Sequence, residues 1–145
     1  MNNEQLTMNT EQSAVKNCSL FTANCSLSKK ERLCGKRNFS NLFDSGQTFF
    51  LSPYKIFWTK IPETYSFPIR FAVSAPKRRF KHAVQRNLIK RRTREVFRTN
   101  KQILNVAVTN GQVHLIVIYT SDQLLSCVKL EESMKKILKR IAEQV

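Results

Sequence analysis

Asn87, Lys90, Arg91, Arg94 and Arg98 share a helical spacing within the stretch PKRRFKHAVQRNLIKRRTREVFR, residues 76–98, and their joint chemistry is that of gripping a polyanion. A guanidinium is a planar fork that meets two phosphate oxygens at once, whereas the Lys90 ammonium acts as a point charge. The Asn87 amide can contact phosphate, sugar or a base edge. At ~100° per residue these five fall within an arc of roughly 100° on a helix. Ile89, Thr93 and Val96 fall together on another side, directed to a core. Glu95 is expected to pair with a neighbouring arginine and fix its rotamer.

From Arg70 to Lys101 there are twelve Lys or Arg residues and a single acid, Glu95. The whole chain has 25 basic and 10 acidic residues, a net charge of +15, so most of the excess sits in this window. Charge that dense and that local points to nucleic acid as the partner. Catalysis by the polypeptide would need a nucleophile with a base, paired carboxylates or a metal cluster. The acids are scattered, neither His82 nor His114 has a local partner, and the three glycines form no phosphate-binding loop. The chain reads as a binder, with His114 a satisfied residue inside a sheet. Phe39, Phe43 and Phe57 admit two readings that the sequence does not separate: core filling, or stacking on unpaired bases beside a basic groove.

The elements that must position these residues follow from pattern. Ser28 caps a helical turn with Glu31 three residues on. Lys36 to Phe43 forms a short helix with Phe39, Leu42 and Phe43 on one side, ended by Gly46. Within Thr48–Lys60, Lys55–Thr59 reads as a strand, and Pro62 and Pro68 bracket a loop. Ile69, Phe71, Val73 and Ala75 alternate with Arg70, Ala72 and Ser74 in a half-buried strand that Pro76 stops. The basic stretch is helical over 83–100. Asn110-Gly111 turns the chain into a central strand, Val113–Tyr119. Ser121 or Asp122 caps a last helix carrying Leu124, Val128, Met134, Ile137, Leu138 and Ile141 as its core stripe. The order αββαβα makes an α/β (α+β) two-layer sandwich on a small central sheet.

The 145 residues have room for one domain, 27–145, behind a polar extension, 1–26, read as disordered. No stretch approaches the ~20 apolar residues of a membrane span, and the N-terminus lacks the pattern of an export signal. A cytosolic (cytoplasmic) location follows, with no membrane partner. Cys18, Cys25, Cys34 and Cys127 lack zinc-ligand spacing and are expected to be free thiols.

Arg86-Asn87-Leu88-Ile89-Lys90-Arg91-Arg92-Thr93-Arg94-Glu95 resembles the RN-x-I-K-R-x-x-R-E signature of the bacterial ribonuclease P protein component. It follows the strand and basic turn Phe71–Arg78 at that family's usual distance, and Phe39, Phe43 and Gly46 match its early pattern. The resemblance runs from about Leu27 to the C-terminus. It implies a ribosomal-protein-S5-like fold with a left-handed βαβ crossover, and the protein subunit of an endoribonuclease whose catalytic groups and Mg2+ reside on an RNA subunit. No catalytic residue, metal site or cofactor is implied on the polypeptide. The implied partners are ribonuclease P RNA and precursor tRNA, whose 5′ leader is removed to give the mature tRNA end. Carried over by position, Arg86, Asn87, Lys90, Arg91 and Arg94 serve the RNA-facing helix, and helical spacing adds Arg98 as a sixth RNA-binding candidate. Phe39, Phe43 and Phe57 line the leader cleft, with Lys77 and Arg78 at its rim. The alternative is a non-enzymatic RNA-binding or ribosome-associated protein. A DNA-binding module is disfavoured, since neither a helix-turn-helix pair nor a zinc pattern is present.

Overall fold

In the computed structural model, residues 27–63 and 67–145 are described. Ser28 accepts a hydrogen bond from the Glu31 backbone and Glu31 reaches back, a reciprocal cap on a single 3-10 turn. α1 (Lys36–Ser45) follows, then the hairpin β1 (Gln47–Leu51) and β2 (Tyr54–Ile61), closed through a cis Ser52–Pro53 bond. β3 (Ile69–Ser74) leads into α2 (Ala83–Asn100), which spans the basic stretch as its pattern predicts. The short α3 (Gln102–Ala107), β4 (Gln112–Tyr119) and α4 (Cys127–Ala142) complete the chain. Two of these elements, β1 and α3, have no counterpart in the sequence reading.

The strands form one sheet in the order β1–β2–β4–β3, antiparallel except for the parallel pair β4–β3. Alternation then decides what each face carries. Tyr54, Ile56, Trp58, Ile69, Phe71, Val113, Leu115, Val117 and Tyr119 point to one face and join Ile89, Val96, Phe97, Leu130, Met134, Ile137 and Ile141 from α2 and α4 in the main core. Ile116 points to the other face, where it meets Leu33 and Leu42, with Phe39, Phe57 and Ala72 packed around them under α1. The α+β sandwich is therefore the sheet on α2 and α4, with α1 laid across the outer face.

Two glycines make the turns that hold this arrangement. Any Cβ on Gly46 would run into the Leu42 carbonyl oxygen of α1, so the tight entry into β1 requires its absence. Gly111 sits at φ +87°, left-handed backbone in which its own Cβ would strike the Ile61 carbonyl.

The last helix corrects the expected boundary. Ser126, not Ser121 or Asp122, provides the cap, accepting from the Lys129 backbone. Asp122 is taken by an ion pair with Arg79, and Ser121 caps the Gln123 backbone instead. Leu124 consequently lies in the loop and is exposed, as is Val128 on the first turn, so neither belongs to the core stripe. Cys34 is a free, exposed thiol, but Cys127 is disulfide-bonded, contrary to the expectation of free thiols. Cys18, Cys25 and the polar extension lie outside the described residues.

Candidate nucleic-acid interface

The basic row of α2 is built from the inside out. Ile89, Thr93 and Val96 are buried as their spacing predicts, and the Thr93 hydroxyl meets the Tyr54 hydroxyl at 3.0 Å across the core. Burial pushes the Tyr54 phenol well above its ordinary pKa, so it stays a neutral hydrogen-bonding group. With that edge fixed, Asn87 and Arg91 are exposed and Lys90, Arg94 and Arg98 are half-buried along the opposite flank.

The six RNA-binding candidates on this helix are not equivalent. Arg86 folds back, donating from Nη1 to the Phe80 and Lys81 carbonyls, both at 2.7 Å. Its guanidinium ties down the turn that launches α2. Arg98 grips buried Glu95 through two hydrogen bonds, 2.8 and 3.2 Å, the pairing that the lone acid suggested. Lys90, Arg91 and Arg94 have no ion pair or side-chain hydrogen bond among the described residues. Arg94 is instead crowded: burial, then the charge of Arg32, lower its pKa from the usual arginine value. Arg32 arrives there because its segment bridges to Phe71 at the β3 edge, and Lys101 of the α2–α3 junction pairs with Glu31 beside it. Arg32 thus extends the row, and only tertiary structure places it there.

Phe39, Phe43 and Phe57 gather on the other face of the sheet. Phe39 and Phe57 are partly buried against the small cluster under α1, and Phe43 is 46% exposed. The Phe43 and Phe57 rings meet edge to face, centroids 5.0 Å apart at 75°, and the Lys55 ammonium lies 5.2 Å over the Phe57 ring. Phe39 is thus mainly a wall, while Phe43 keeps an open face. These rings stand between the sheet and α1, on the face of the sheet away from the basic helix. On the far flank of α1 a polar cavity of about 390 Å³ is lined by residues that include Asn38, Asn41, Thr59, Arg70 and His114, and by no Phe, Tyr or Trp. His114 is buried and bonded through Nε2 to Gln112 at 2.9 Å, and burial, then Arg70, lower its pKa.

Cross-strand register extends this aromatic face of the sheet. Phe50 pairs with Lys55, Lys55 with Ile118, and Ile118 with Ser74, so these four side chains form one row across all four strands on the Phe57 face. β3 leaves that row at Ser74 and passes through Lys77 and Arg78, both exposed, before α2 begins. The segment carrying Lys77 and Arg78 therefore connects the aromatic face of the sheet to the basic helix.

Among the described residues no three His, Cys, Asp or Glu side chains come together in a metal-binding group, and no helix is long and apolar enough to cross a membrane.

Comparisons with known proteins place this architecture. The Ribonuclease P family model matches residues 27–142. The chain is 34% identical over 121 residues to a ribonuclease P protein component of Porphyromonas gingivalis, covering 82% of this chain and 88% of that one. It is 47% identical over 73 residues to that of Petrotoga mobilis, covering 50% and 58%. The fold is similar to the ribonuclease P proteins of Staphylococcus aureus, at a TM-score of 0.63 and 21% identity over 77% of this chain and 94% of that one. For that of Thermotoga maritima the TM-score is 0.62 and the identity 24%, over 76% and 96%. With a family match over most of its length and a relative above 30% identity, the chain belongs to the bacterial ribonuclease P protein family.

Proposed function

We propose that this chain is the protein subunit of a ribonuclease P holoenzyme, binding the catalytic RNA through the α2 flank and the 5′ leader of precursor tRNA in the groove beside α1. The observation that carries the reading is the division of labour between the two faces. A row of charges without apolar relief suits the phosphates of a structured RNA, which are recognised by position and charge. An open aromatic pair with a lysine over one ring suits a single strand, whose bases are free to stack.

In this reading the polypeptide does no bond chemistry. Lys90, Arg91, Arg94 and Arg32 hold phosphates of the RNA subunit, and Arg86 and the Glu95–Arg98 pair keep the helix in place. Phe43 and Phe57 stack leader bases, with Lys55, Lys77 and Arg78 neutralising the strand as it passes toward α2. Holding the leader at this corner sets the scissile phosphate against the RNA subunit, to which the reading assigns the catalytic groups and Mg2+. Attack by water there leaves the mature tRNA 5′ end. The gain is one of proximity and orientation.

Reconstitution with the cognate ribonuclease P RNA tests it. Addition of the protein at near-physiological salt is expected to raise kcat/KM for precursor tRNA, with affinity for precursor exceeding that for mature tRNA. No stimulation, or cleavage by the protein alone, refutes it. Equal affinity for precursor and mature tRNA favours the plain RNA-binding alternative.

A further inference from the structure

Phe50 is 61% exposed on β1, which among the described residues is an edge strand of the sheet and carries no charged residue. Edge strands without charge invite pairing with another chain, and Phe50 is not a lone ring, since Phe43 is also exposed on the same face of the sheet. Phe50 ends the row Ser74–Ile118–Lys55–Phe50 and lies on the same face as Phe57, not over the main core. Neighbouring strands are about 4.8 Å apart, so three spacings put Phe50 some 14 Å from Ser74, at the opposite end of the groove from Lys77 and Arg78. Lys55 lies between Phe50 and the Phe43–Phe57 pair, its ammonium over Phe57.

We infer that Phe50 is the outer stacking platform of the groove, taking one unpaired base of the RNA strand where it leaves over the β1 edge. This rests on the leader reading above and extends it by a residue outside the carried-over set. The groove then has an aromatic surface at its middle and another at its exit, with a cation between them. That is the alternation a single strand requires, whose bases want flat apolar faces and whose phosphates want charge. The expected ligand is a leader long enough to pass Phe43, with little discrimination between bases, since every base offers a π-face.

The test uses the reconstituted holoenzyme and precursor tRNAs whose leaders are lengthened one nucleotide at a time. Wild-type affinity should rise in steps with length. Phe50→Ala should abolish the last step only, a loss of about fivefold to tenfold for long leaders and none for short ones. Phe50→Leu should lose as much, because it is apolar but not flat, and Phe50→Trp should retain the step. Full retention by Phe50→Leu, equal loss at every length, or no loss overturns the assignment. So does wild-type protein that self-associates in sedimentation while Phe50→Ala is monomeric, which would make the edge a contact between copies. A wild-type profile with no dependence on leader length would instead overturn the leader reading itself, so the two failures are distinguishable.

Discussion

Arg91→Ala and Arg86→Ala remove the same charge from neighbouring turns of one helix, yet the structure predicts opposite consequences. Binding to a nucleic acid falls with salt in proportion to the phosphates neutralised, with a log–log slope of about −0.7 to −0.9 per contact. Six contacts from the candidate row would imply a loss on the order of a thousandfold between 50 and 200 mM salt. Asn87 is uncharged, Arg86 is engaged by two carbonyls and Arg98 by Glu95, which leaves Lys90, Arg91 and Arg94 to face phosphate from α2. Three contacts over the same fourfold salt range give only about twentyfold to fortyfold from this helix. Arg91→Ala should therefore flatten the slope for ribonuclease P RNA by about 0.7–0.9 and leave the melting temperature unchanged, its side chain being exposed. Arg86→Ala should hold the slope and lower stability by about 1–3 kcal/mol, since two part-buried to exposed carbonyls lose a charged donor. Fluorescence binding titrations across salt, with urea unfolding of each variant, separate the two effects. A flattened slope for Arg86→Ala with unchanged stability would refute the reasoning.

Two further outcomes follow from the other face and the sheet interior. Phe43→Ala should weaken binding of a precursor tRNA with a leader by about fivefold or more, at the low end of base-stacking contributions. It should cost about 1–3 kcal/mol of stability, from the edge-to-face contact with Phe57 and the burial of about half the ring; a collapsed unfolding transition would return Phe43 to the core. His114 carries the pH prediction: burial and Arg70 lower its folded pKa, so below about 6.5 the unfolded chain takes up a proton that the folded chain resists. Stability is full above that pH and is lost as pH falls toward the folded pKa. Urea titrations from pH 8 to 5 should show this decline in wild type and a flatter profile in His114→Gln.

The fold was legible where a pattern has one solution. The span of α2, the alternation of Ile69–Ala75 and the apolar run of β4 each match a single period, and the structure keeps all three. β1 was hidden because Gln47–Leu51 and Tyr54–Ile61 read as one aromatic segment until the cis Ser52–Pro53 turn divides them. The start of α4 was misplaced because Ser121, Asp122 and Ser126 are all capable caps, and the choice among them is made by a residue more than forty positions away. Arg79 claims Asp122, and a side chain committed to an ion pair is lost to the helix terminus.

The candidate residues were legible by type but their geometry was not, and the distinction is physical. Residue type fixes what a side chain can bind, so the arginines and phenylalanines were identifiable as candidates. Whether a given arginine is available depends on carbonyls and carboxylates that the fold brings to it, and the spacing that grouped Arg98 with Arg91 cannot tell a cation facing solvent from one held by buried Glu95. The faces were equally invisible. An odd residue offset along β2 puts Phe57 on the side opposite Tyr54, and Tyr54 is the residue that bonds α2. Once that offset is combined with the register, the aromatic pair and the basic helix must lie on opposite sides of the sheet, with the chain that leaves β3 passing from one to the other. In the proposed reading Lys77 and Arg78 take their role from that corner: a single strand and a structured RNA bound to opposite faces of one thin sheet would meet where the chain turns over from β3 to α2.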